Sequence, residues 1–173
     1  MKQLIKTISV VLLFSMASLR AEEAEHQTKN GQPEEHEEHA HSNHFSLFLG
    51  LTSALEANTH EFTAGLDYEY RLPVLNRLLG VGVLADFAFG HETTGIFAGF
   101  IGIHPVAGLK ILVAPGIETL FSVTPATAFL IRGSIGYDIM IDTFSVTPII
   151  SADYVPESRT LSLVYGLAAG IGF

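Results

Sequence analysis

From Phe62 to Leu72 the chain reads FTAGLDYEYRL, and its residues sort by parity. Phe62, Ala64, Leu66, Tyr68 and Tyr70 share one face of an extended strand, and Thr63, Gly65, Asp67, Glu69 and Arg71 share the other. Side chains in a strand alternate between faces, so a period of two marks a β-strand with one apolar face. The pattern recurs. Phe129–Asp142 sets Phe129, Ile131, Ile135, Tyr137, Ile139 and Ile141 against Leu130, Arg132, Ser134, Asp138 and Asp142. Phe144–Tyr154 sets Phe144, Val146, Pro148, Ile150, Ala152 and Tyr154 against Ser145, Thr147, Ser151 and Asp153. In Leu109–Phe121, Leu109, Ile111, Val113, Pro115 and Ile117 oppose Lys110, Leu112, Ala114, Gly116 and Glu118. Leu161–Phe173 ends the chain on a bare Phe, with Tyr165, Leu167, Ala169 and Ile171 in step before it. Weaker segments complete the set: Phe45–Ala54, Val81–Phe89 with Asp86 on its polar face, and Ile96–His104, whose two faces look alike. That makes eight strands, with short connections that suit antiparallel neighbours.

Eight alternating strands fit two opposite objects. A soluble lipocalin-like barrel keeps its apolar face inside, whereas a membrane barrel turns it out to lipid and keeps a polar interior. Charge decides between them. From Phe45 on there are only five basic residues, Arg71, Arg77, Lys110, Arg132 and Arg159, and the apolar faces carry no charge on the seven strands where they can be assigned. A water-facing surface would be crowded with Lys and Glu. Strands of this length also match the ~9–11 residues that cross hydrocarbon at a tilt. Closure gives every backbone N–H and C=O a partner in lipid. The sequence therefore predicts an all-β, eight-stranded, antiparallel up-and-down transmembrane β-barrel. Pro115 and Pro148 lack a ladder donor inside strands, so bulges or early strand ends are expected at both.

The N-terminal residues differ. Met1–Lys6 carries Lys2 and Lys6, an apolar run follows from Ile8 to Ala17, and small residues surround Ala17 and Ala21. This is the layout of a secretory signal peptide, residues 1–21, cleaved after Ala17 or Ala21. Residues 22–44 read EEAEHQTKNGQPEEHEEHAHSNH, without a large apolar side chain. Such a stretch cannot bury enough surface to fold, so a disordered tail is expected, with the barrel spanning residues 45–173.

With the signal segment, the eight strands and the final Phe in view, the chain resembles small bacterial outer-membrane β-barrels of the kind seen in the OmpA transmembrane domain and OmpX. The stretches GLDYEYRL, HPVAGLK and LVYGLAAGIGF are also similar to bacterial barrel proteins with His-rich leaders. The resemblance implies a location in the bacterial outer membrane with the N-terminal tail in the periplasm. It implies outer-membrane lipids as surroundings, and a barrel-assembly machinery that reads Tyr165, Leu167, Ala169, Ile171 and Phe173.

Several constellations bear on chemistry. Net charge is −9, which argues against nucleic acid as a partner. Among the Glu residues of the tail, His36, His39, His41 and His44 suit loose capture of Zn(II) or Cu(II), but no H-E-x-x-H catalytic pattern is present. No other cofactor is expected. On the polar faces, Asp67, Glu69, Arg71, Asp86, Lys110, Glu118, Arg132, Asp138 and Asp153 are expected to form an interior charge network that plugs the lumen, since buried charges persist only when paired. A narrow cation path or a metal-linked sensor with a periplasmic tail is the alternative. His60 and His91 read as loop residues, and Ser122 and Ser162 lack an evident His partner. With no G-x-S-x-G turn, the expectation is a structural or interaction role without catalysis and with no ligand that the sequence can name.

Overall fold

The computed structural model describes residues 42–56, 59–74, 77–106, 108–122 and 124–173. The strands are β1 (Asn43–Ala54), β2 (Thr59–Arg71), β3 (Leu79–Phe89), β4 (Thr93–Ile103), β5 (Leu109–Phe121), β6 (Ala126–Tyr137), β7 (Ile139–Ile141), β8 (Phe144–Val155) and β9 (Thr160–Gly172). Each of β1 to β5 pairs with the next in sequence, β7 pairs with β8, β8 pairs with β9, and β1 pairs with β9. The pairing of β6 with β8 completes the circle. Short β7 continues β6 along the same partner, in the same register. The result is a closed, eight-stranded, all-antiparallel barrel. The start of β1, the end of β9 and the strand ends that meet the β2–β3, β4–β5 and β7–β8 connections lie at one end, called here the terminal end. The strand ends that meet the β1–β2, β3–β4, β5–β6 and β8–β9 connections lie at the other, the far end.

Two expectations about boundaries and breaks need correction. β1 starts at Asn43, so two residues assigned to the tail by composition belong to the barrel. The main chain of Asn43 exchanges both bonds with Phe173, at 3.1 and 3.0 Å, which carries the closing ladder to the last residue. The signal segment and residues 22–41 lie outside the described residues. Neither proline causes a bulge and the strands that carry them run on; at Pro148 it is the facing strand that ends, with β6 stopping at Tyr137 and β7 starting at Ile139. β5 runs through Pro115 in constant register, and the β4–β5 ladder merely lacks pairs at Gly99 and Phe100. At Pro148 the β8–β9 ladder is continuous, and the gap falls on the other side, at Tyr137 and Asp138. A missing N–H thus removes local pairing on one side only. The Asp138 N–H bonds the carbonyl of Gly108 at 2.6 Å instead, and its carboxylate accepts from Thr147 Oγ1 at 2.7 Å. Gly108 holds φ at +78°, a conformation open to glycine at no steric cost.

The middle of the outer face is apolar on every long strand. Leu47 and Leu49 on β1, Val83 on β3, Ile101 on β4, Val113 on β5, Ile135 on β6, Ile150 on β8 and Leu167 on β9 are all exposed. So much contiguous apolar surface does not stand in water, and it overturns the lipocalin-like alternative. Aromatic side chains ring both ends of the belt. Phe45, Tyr68, Tyr70, Tyr137, Phe144 and Phe173 lie toward the terminal end, and Phe62, Phe89, Phe121, Phe129, Tyr154 and Tyr165 toward the far end, all exposed. Such girdles mark the two interfaces of a membrane. On β4 the structure resolves the faces: Phe97, Ile101 and Ile103 point out, while Ile96, Ala98 and Phe100 are buried inside.

Candidate functional site

The lumen is where polar chemistry collects. Arg132, at the middle of β6, is buried there and reaches in two directions. Its Nε and Nη2 donate to the two carboxylate oxygens of Asp153 at 2.6 and 2.8 Å, and its Nη1 donates to Asp86. Asp153 is its direct cross-strand neighbour on β8, whereas Asp86 comes across the barrel from β3. The planar guanidinium matches a carboxylate edge-on and still has a donor left for the second.

A second cluster lies toward the terminal end. Lys110 Nζ sits 2.7 Å from Glu69 Oε2 and 3.8 Å from Asp67 Oδ1. The Phe100 ring lies beneath the ammonium, 5.3 Å from its centroid. His104 Nε2 is 2.6 Å from the other oxygen of Glu69. Arg71 Nη2 pairs with Asp138 at 3.1 Å, and Ser46 donates to Asp67. Glu118 faces the lumen half-buried but forms no ion pair among the described residues. His104, absent from the charge set expected from sequence, is part of this cluster.

Glycines give these carboxylates room. Gly65 pairs with Asp86 across β2 and β3, and a Cβ placed on Gly65 would land on the Asp86 carboxylate. A Cβ on Gly80 would likewise meet Glu69. At Gly133, on the outer face of β6, a Cβ would meet nothing within 4 Å. Gly65→Ala is therefore expected to lower unfolding stability by about 1–3 kcal/mol through overpacking. Gly133→Ala should stay within about 0.5 kcal/mol. Urea midpoints of the refolded variants in detergent check both.

The interior is not uniformly polar, which parity alone did not reveal. Leu84, Ile96, Ala98, Phe100, Leu112, Ala114, Leu130 and Val155 form one buried cluster, and Phe48, Val164 and Ala168 form another. Between them and the ion pairs remains a cavity of about 40 Å³, bordered by Asp67, Asp86, Lys110, Arg132, Ser134 and Ser151.

The histidine expectation is corrected in part. His44 is not a tail residue. It lies in β1, buried in the lumen, with Nε2 2.8 Å from Ser145 Oγ. His36, His39 and His41 lie outside the described residues. Among the described residues no group of three or more His, Cys, Asp or Glu side chains is arranged to hold a metal ion.

A polar group on the outer face was also missed. His60 is not in a loop but on β2, directly opposite Ser53 of β1. Ser53 Oγ is 2.7 Å from His60 Nδ1 and 3.4 Å from the phenolic oxygen of Tyr165 on β9. All three point toward lipid, one residue pair below the far-end rim. The Tyr165, Leu167, Ala169, Ile171 and Phe173 series lies on this same outer face, exposed along the closing strand.

No protein-family model matches this sequence, and no curated protein matches it. Solved structures do match its fold. Neisserial surface protein A aligns with 76% of this chain and 96% of its own, with a TM-score of 0.53 and 8% identity. The N-terminal β-barrel domain of Pseudomonas aeruginosa OprF aligns over 77% and 98%, with a TM-score of 0.53 and 14% identity. The attachment invasion locus protein Ail of Yersinia pestis aligns over 76% and 97%, with a TM-score of 0.52 and 13% identity. These are eight-stranded outer-membrane barrels, and at such identities the shared property is the fold. It is a transmembrane β-barrel fold of the outer-membrane kind.

Proposed function

From that fold as premise, we propose that the chain is an integral outer-membrane barrel with a sealed lumen and a structural or interaction role. Its N-terminal tail then lies in the periplasm, outer-membrane lipids surround its belt, and the outward Tyr165–Phe173 series is what the assembly machinery reads. The observation that carries the sealed lumen is the Arg132 guanidinium bound to both Asp86 and Asp153, flanked by Leu130 and Ala114, which have no exposed surface. Eight strands enclose a space that side chains can fill, and the cavity bordered by Arg132 and Asp86 is about 40 Å³.

The refolded protein in planar bilayers tests this. A sealed barrel gives a flat current trace under applied voltage. Stepwise, cation-favouring conductance would favour the narrow channel instead. The tail histidines His36, His39 and His41 retain weak Zn(II) or Cu(II) capture as their proposed chemistry, now without His44.

A further inference from the structure

We propose that Ser53, His60 and Tyr165 form a lipid-facing acyl-transfer site at the far-end rim, acting on the ester bond of a membrane lipid. The group meets the geometric requirements of such a site. A nucleophilic hydroxyl lies 2.7 Å from an imidazole nitrogen, inside the range for proton transfer from nucleophile to base. The same hydroxyl lies 3.4 Å from the Tyr165 phenol oxygen, to which it donates at rest; once the serine proton has passed to His60, the phenol can donate to the oxyanion that develops on the substrate's carbonyl oxygen. The three residues come from three adjacent strands of a rigid sheet rather than from loops. Ser53 retains 7% exposure while His60 is exposed.

Position selects the substrate class. The site sits just inside the end of the β1–β2 hairpin, at the level of an aromatic girdle, where lipid headgroups meet acyl chains. Below it the wall is apolar, with Leu51, Phe62 and Leu49 exposed. A lipid lying against that wall places its chains on the apolar belt and its ester near Ser53.

The steps balance as follows. With its proton on Nε2, His60 accepts the Ser53 proton at Nδ1. The Ser53 oxygen bonds to the ester carbonyl carbon, the carbon–oxygen bond to the alcohol breaks, and His60 returns the proton to the departing alkoxide. Water then attacks the acyl-serine and gives a proton to His60. The bond to Ser53 breaks, the proton returns to the serine oxygen, and a free fatty acid leaves. Among the described residues no carboxylate pairs with His60, so this is a dyad with slow turnover.

The test uses the refolded full chain, with barrel formation verified by heat-modifiable gel migration. A fluorophosphonate probe should label folded protein at Ser53, as read by mass spectrometry. Hydrolysis of a p-nitrophenyl acyl ester should fall to background in Ser53→Ala and at least ~100-fold in His60→Gln. Tyr165→Phe should slow hydrolysis while leaving labelling in place. Vesicles of phosphatidylethanolamine and of acylated glucosamine lipopolysaccharide, assayed separately for released fatty acid, distinguish the two lipid sources. Folded wild type that neither takes the probe nor hydrolyses ester overturns the proposal, as does Ser53→Ala retaining wild-type rates. If Ser53→Ala fails to fold, Ser53→Thr with His60→Asn serves the same comparison. The conductance outcome is independent of all of these.

Discussion

Arg132→Ala should be among the most damaging single substitutions in the barrel. It removes the partner of two carboxylates at once and leaves Asp86 and Asp153 buried, each at less than a tenth of its exposed area. Breaking a buried ion pair from one side costs about 3–5 kcal/mol, because the remaining charge keeps its desolvation penalty and loses its compensation. Two stranded carboxylates put the expected loss at or above the upper end of that range. Urea unfolding in detergent, followed by far-ultraviolet circular dichroism, measures it. The triple variant Arg132→Met, Asp86→Asn, Asp153→Asn removes the charges together and should recover most of the loss, since neutral replacement of a whole buried cluster is often tolerated. If the single variant shifts the midpoint no more than a surface substitution does, the guanidinium does not hold the lumen together.

Leu49→Arg tests the opposite face. Leu49 lies at the middle of β1, points outward, and is 59% exposed. In a soluble protein, arginine at so exposed a position would cost less than about 0.5 kcal/mol. At the midplane of a bilayer it costs about 2–4 kcal/mol on a barrel's lipid face. Refolding into vesicles and measuring unfolding free energy there separates the two cases. The same substitution at Tyr154, near the far-end girdle, should cost about 0–1 kcal/mol. A depth gradient of this kind is a signature of immersion that no exposure value can imitate.

These two substitutions act on opposite faces of the same sheet, and parity made both faces legible. Asp67, Glu69 and Arg71 share parity on β2 because one side of that strand meets the lumen, and the alternation is visible in sequence. β4 resisted because Ile96, Ala98 and Phe100 join the apolar half of the interior, so neither face was marked by charge. His44 was assigned to the tail because its neighbours are polar. A polar lumen, however, accepts histidine and serine as readily as a tail does, and composition does not change where the sheet starts. The ion-pair partners were also hidden. Asp86 and Arg132 lie on β3 and β6, and which side chains meet across a barrel depends on stagger, which parity does not encode. Ser53 and His60 were missed for a simpler reason. The second strand was read from Phe62, so His60 fell two residues outside it, and its cross-strand neighbour was left out of account.

The bond between Asn43 and Phe173 spans 130 residues of sequence. Until these termini meet, β1 and β9 are bare edges, each able to template a stray strand from another chain. The circle therefore has a late and entropically demanding final step, because contacts so distant along the chain are slow to form. Once made, that step leaves no free edge from which unzipping can start. The same seam that makes the barrel slow to build should make it slow to come apart, with its persistence in the membrane governed by an unfolding rate.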